Sequence, residues 1–194
     1  MNPHSNQEHR KLHMAQENWK IDPVHSNVGF SVRHLMISKV NGHFRNWTGT
    51  LVTDDAKPEN SKITATIETA SIDTKEPQRD DHLRSADFFD AANHPELKFE
   101  STSVKKVSDD RFEVNGNLTI RGNTKPVTLD TEFFGRQKDP WGGERAGFAA
   151  KTHIDRKDFG LTFNMPLDGG GFVVGDKVEI TLDVEAVKEA ASAA

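Results

Sequence analysis

Residues Asn27–His43 read NVGFSVRHLMISKVNGH, and the fold class turns on them. Val28, Phe30, Val32 and His34 alternate with Gly29, Ser31 and Arg33, so a strand here has one dry face and one wet face. The short apolar run Leu35-Met36-Ile37 follows. Asn41-Gly42 is the dipeptide favoured in a tight hairpin turn, which places the predicted turn at 41–42.

The same alternation recurs on both sides of this stretch. Upstream, Trp19 to Ile21 forms a short strand closed by Asp22-Pro23, since proline biases the preceding residue away from helix. Downstream, Phe44 shares parity with Thr48, Thr50 and Val52, while Trp47 and Leu51 share the other. That strand is apolar on both sides, and its Trp47–Leu51 face is a candidate homodimer contact. Further apolar rows are Ile63-Ala65-Ile67, Leu97-Phe99, Phe112-Val114-Gly116-Leu118-Ile120, Val127-Leu129-Phe133, Ala146-Phe148-Ala150-Ile154 and Val178-Ile180-Leu182-Val184. Only residues 76–92 break the pattern. Arg79 to Arg84 suit a short polar helix and Ser85 to Ala92 a second, making this the one long non-β connection expected.

Such a chain is all-β and antiparallel. A sandwich and a barrel both fit the alternation. Long strands and inward glycines favour a barrel of about eight strands with one short helical excursion, because closure leaves no exposed edge.

The 194 residues suffice for one domain, expected over 19–188, with tails at 1–18 and 189–194. Cysteine is absent, which excludes disulfides, thiolate metal sites and cysteine nucleophiles. A net charge of -5 with interspersed signs excludes a nucleic-acid surface. No apolar run is long enough for a transmembrane helix. The polar start lacks the apolar centre of a secretory signal, so the expected location is cytoplasmic. It becomes periplasmic if residues before Met14 stand in for a removed signal.

The candidate functional residues are the inward aromatics Phe30, Phe44, Phe99, Phe112, Phe133 and Phe148, with Phe88-Phe89 on the excursion. They either fill a core or wall a cavity. His34 continues the dry face of its strand and is either a strand-end histidine at the rim or a polar contact for a ligand. No HExxH or H-x-H pattern is present, so no metal site is expected. Asp80-Asp81 and Asp109-Asp110 read as solvating or helix-terminal charges. Gly169-Gly170-Gly171 reads as a tight, mobile bend rather than a phosphate loop. Arg156 and Asp158 read as a pair anchoring their turn.

Five blocks, WKIDPVHSNVGFSVRH, VNGHF, DDHLRSADFFDAANHPELKFES, VNGNLTIRGNTKPVTL and RKDFGL, resemble the YceI-like family in order and spacing from Trp19 to about Val187. The resemblance implies a lipocalin-like β-barrel with an elongated apolar cavity and no catalytic cofactor. It implies non-catalytic binding, transport or storage of a long-chain lipid: a polyisoprenoid, an isoprenoid quinone or a fatty-acyl compound. The ligand-binding residues expected on this basis are Phe30, Val32, His34, Met36, Phe44, Phe88, Phe89, Phe99, Leu118, Ile120, Phe133 and Phe148. Two alternatives stand beside it: an enzyme using His34 inside the barrel, and a filled barrel serving as an interaction module.

Overall fold

Alternating side chains produce eleven strand segments in the computed structural model, which describes residues 16–190. They are β1 (Glu17–Ile21), β2 (Asn27–His34), β3 (Ser38–Phe44), β4 (Trp47–Thr53), β5 (Lys62–Glu68), β6 (Ile72–Asp73), β7 (Glu96–Lys106), β8 (Arg111–Ile120), β9 (Asn123–Lys138), β10 (Glu144–Asp155) and β11 (Val174–Lys188). All pairings are antiparallel, and β1 pairs with both β4 and β11, which closes the sheet into an eight-stranded barrel. Eleven segments make eight strands because three barrel strands are bent. β1 and β2 lie end to end along β11. β3 continues into β4, and β5 into β6.

The bends explain two differences from the sequence pattern. At Arg45-Asn46 the chain leaves the ladder between β3 and β4, so Phe44 and Trp47 both turn inward although they lie three positions apart in sequence, an offset that would put them on opposite faces of an unbroken strand. Trp47 and Leu51 are buried in the core, and the expected homodimer contact through them is ruled out. The β2–β3 turn falls at Leu35-Met36-Ile37, not at Asn41-Gly42, which pair with Ser31 and Phe30 inside the ladder. Gly42 serves close packing instead. A Cβ there would stand 2.4 Å from Cζ of Phe30.

Gly116 has the same role more severely. A Cβ at this position would lie 2.4 Å from the Phe99 ring and 2.7 Å from the Glu100 carbonyl oxygen. The ring can tilt, but the backbone of the paired strand cannot. Gly116→Ala is expected to destabilise the barrel by about 1–3 kcal/mol, read as a lower urea midpoint at unchanged slope.

The bend between β1 and β2 is held by charge. The Asp22 carboxylate accepts from the His25 ring (2.9 Å), from Val24 N–H (3.0 Å) and from Arg145 (3.0 Å). Arg145 also bonds Glu185 and Asp139. Asp22, His25 and Glu185 converge closely enough for a cation, and Arg145 supplies that positive charge. The His25 hydrogen bond is the chief cause that lowers the Asp22 pKa from 3.8 to about 2, against the opposing effect of partial burial. A depressed carboxylate stabilises the fold above its unfolded pKa and loses that contribution as pH falls through its folded value. Asp22→Asn should therefore be less stable than the parent above about pH 4, with the two curves converging as pH falls towards 2. Urea unfolding across that window checks it.

One end of the barrel is capped by the connection between β6 and β7. Helix α1 (Pro77–Arg84) forms as expected, but the second helix expected over Ser85–Ala92 does not. Ser85 is extended and Asp90 has a φ of 50°, giving a series of turns that sends Phe88 and Phe89 inward. Asp80 is buried rather than solvating: its carboxylate accepts from the Thr74 N–H (2.9 Å) and hydroxyl (2.5 Å). A second long connection, residues 156–173 between β10 and β11, stands beside the single one expected, and it contains the bend at Gly169–Gly171. Trp19 (1% exposed), Leu51, Ala146 and Ala186 pack together where β1 closes the ring. The expected 1–18 tail lies outside the described residues up to 15, and Glu17 and Asn18 already belong to β1.

Candidate functional site

The inward rows do not meet in the middle. They surround a cavity of about 700 Å³, within the roughly 300–1,000 Å³ of small-molecule sites. The filled-barrel reading is thereby overturned. A ten-residue strand such as β8 spans about 33 Å before tilt, so the space is long and narrow.

Ten of the twelve residues expected from the sequence line it: Phe30, Val32, Phe44, Phe88, Phe89, Phe99, Leu118, Ile120, Phe133 and Phe148. The aromatic ones form contacts rather than isolated rings. Phe44 lies 5.9 Å from Phe30 and meets Phe89 edge-on at 6.0 Å; Phe133 and Phe148 lie 5.1 Å apart. At the capped end Phe88 packs 5.2 Å from Phe163, and the His82 ring stands edge-on to both.

His34 and Met36 are outside the lining. On β2 the lining stops at Val32, and His34, the last residue of the strand, sits beside the turn at Leu35-Met36-Ile37. The His34 carbonyl accepts from Ser38 Oγ, and Met36 is exposed in the turn. Strand parity carried His34 inward, but parity does not say where the interior stops. An enzyme built on His34 inside the barrel has no such residue to use.

The sequence pattern missed the polar groups at the two ends. Arg136 reaches the cavity because Phe134 bulges out of β9: Phe133 pairs with Phe148, then Gly135 with Gly147 and Arg136 with Ala146. Gly135, at φ 101°, is the one local sign of that bulge. Arg136 bonds Glu17 (2.8 Å) and Asp55 (2.7 Å) and lies 4.9 Å over the Trp19 ring. Lys106 bonds Asp109 (2.8 Å), which holds that carboxyl below its ordinary range. At the opposite end Arg156 is buried and pairs with Asp176 (3.3 Å), not with the expected Asp158. Between the ends the walls are apolar, apart from the Thr131 and Thr152 hydroxyls.

Residues 19–186 match the model of the YceI-like domain. The chain belongs to the YceI-like family. Its YceI-like sequence is 42% identical over 173 residues to Protein YceI of Salmonella newport, covering 88% of this chain and 87% of that one. The crystal structure of the YCEI protein of Campylobacter jejuni superposes with a TM-score of 0.69 at 32% identity, over 81% of this chain and 90% of that one. A polyisoprenoid binding domain from Saccharophagus degradans shares the fold, with a TM-score of 0.65 at 13% identity, over 88% of this chain and 98% of that one. No described helix of this YceI-like barrel is long and apolar enough to cross a membrane.

Proposed function

We propose that this YceI-like barrel binds one long-chain apolar lipid along its axis, a polyisoprenoid, an isoprenoid quinone or a fatty-acyl compound, and carries or stores it without chemical change. The cavity carries this reading: an elongated apolar space of about 700 Å³ with charged groups only at its ends. Each buried methylene-sized group contributes roughly 0.8 kcal/mol of transfer free energy, so a five-carbon isoprene unit brings about 4 kcal/mol gross. Ordering of the chain and the lipid's alternative home in a bilayer offset most of that. Arg136 and Lys106 are already ion-paired, and among the described residues no basic side chain hydrogen-bonds the Thr131 or Thr152 hydroxyl to make a nucleophile of it. Both facts support binding over catalysis. The name of the Saccharophagus degradans domain agrees with the ligand class.

Organic extraction of the purified protein followed by mass spectrometry tests the proposal. A stoichiometric isoprenoid or long-chain lipid is expected. Absence of lipid, together with no saturable uptake of polyprenyl or fatty-acyl compounds by stripped protein, would sink it.

A further inference from the structure

A hairpin turn whose two central residues are both left-handed favours Asn-Gly, since a bulky side chain there crowds its own backbone. At the β2–β3 turn these positions hold Leu35 (φ 51°) and Met36 (φ 63°). Burial does not offset the strain: Met36 is 56% exposed and the next residue, Ile37, 83%. The β10–β11 connection adds to the same surface. Leu35 N–H donates to the Val173 carbonyl (2.9 Å), and Val173 N–H to that of Met165 (3.0 Å). The exposed side chains of Met165 and Phe172 are thus held near the tip. Among the described residues, the other large exposed apolar ones, Val24, Val107, Phe134 and Trp141, lie on four separate segments.

Directly below the tip, Arg33 and Lys39 face each other across the hairpin. Like charges so placed destabilise a strand pair, and Lys39 reaches a carboxylate, that of Glu179, only at 3.9 Å. A strained apolar turn, bared side chains and a facing cation pair are each unfavourable for the isolated fold. The last two become favourable where apolar tips enter acyl chains and cations meet phosphates, and the strained turn is the cost of holding them there. We propose that the β2–β3 tip, with Met165 and Phe172, docks the barrel on an anionic phospholipid bilayer. The cavity comes close to this tip. Val32 and Val174 line it on either side of the β2–β11 seam, and the ladder there skips Gly175-Asp176-Lys177 between two pairs. A docked bilayer faces the most loosely paired part of the barrel wall.

Flotation with phosphatidylcholine vesicles, with and without phosphatidylglycerol, tests this independently of the barrel's own ligand, since neither vesicle contains isoprenoid. The parent is expected to float with the anionic vesicles. The variant Leu35→Asn/Met36→Gly/Ile37→Ser should float about tenfold less, yet unfold at an equal or higher temperature because Asn-Gly relieves the turn. Arg33→Glu/Lys39→Glu should lose the preference for anionic vesicles. A parent that ignores both vesicle types, or a tip variant that floats like the parent, overturns the proposal. So does a concentration-dependent dimer that the tip variant abolishes while the parent ignores vesicles, which would assign the tip to a second copy.

Discussion

Ala150→Trp should empty the barrel of lipid while leaving the barrel folded. Ala150 sits on β10 between Thr131 and Leu182 and points into the cavity. An indole there lies across the path of a chain running along the axis. Inserting a large side chain into a packed core costs about 1–3 kcal/mol. Here the side chain enters existing space, so the cost should fall at or below the lower figure. The lipid has no such freedom, because a linear chain threaded past Ala150 cannot detour within a closed wall. The expected result is about a tenfold or greater fall in lipid extracted per mole of protein, with a urea midpoint close to that of the parent. Ala149→Trp is the matched control, since Ala149 pairs with Glu132 and Asp183 on the outer face. It should retain lipid. Equal lipid in the Ala150 and Ala149 variants would place the ligand somewhere other than this cavity.

The walls of the cavity were legible in the sequence because period-two alternation is a local property, readable strand by strand. Leu118 and Ile120 follow from the spacing in β8 alone. What alternation cannot carry is any event that changes its phase. The bend at Arg45-Asn46 inverts the parity of Trp47 and Leu51, and the bulge at Phe134 brings Arg136 inside. Both are single-residue matters decided by packing of neighbouring strands. Asn41-Gly42 misled for a different reason. Its propensity for a turn is real, but the Phe30 ring needs the space that a glycine leaves, and tertiary packing overrides local preference. His34 failed at a third level: the pattern gives a face and no length. The capping loop 156–173 has no periodicity to read, and it is held by one buried cation together with the Asn164 side chain, which bonds both backbone groups of Val174.

That cation sets the last expected result: Arg156→Leu should destabilise the protein by about 3–5 kcal/mol. The Arg156 guanidinium donates to the carbonyls of Gly175 (2.9 Å), Phe163 (2.9 Å), Val174 (3.4 Å) and Leu161. It is 4% exposed, and burial lowers its pKa while Asp176 and Asp155 oppose the shift. Hydrogen bonds to a charged group contribute about 1.5–3 kcal/mol each, and buried acceptors left without donors cost further. Leucine matches the apolar stem but leaves those acceptors unpaired. Arg156→Lys should recover only part of the loss, because one ammonium cannot reproduce the planar fork that reaches carbonyls on both sides of the loop. Asp176→Asn should change stability by less than about 1 kcal/mol, since that carboxylate is only half-buried and is shared with Lys157 (2.8 Å). The ranking Leu, then Lys, then Asn isolates the carbonyl network from the ion pair, and urea unfolding of the three variants reads it directly. Because the same loop sets Phe159 and Leu161 into the end of the cavity, the leucine variant should also release bound lipid faster than the parent. If Asp176→Asn proved as damaging as Arg156→Leu, the ion pair and not the carbonyl network would be holding the barrel's end closed.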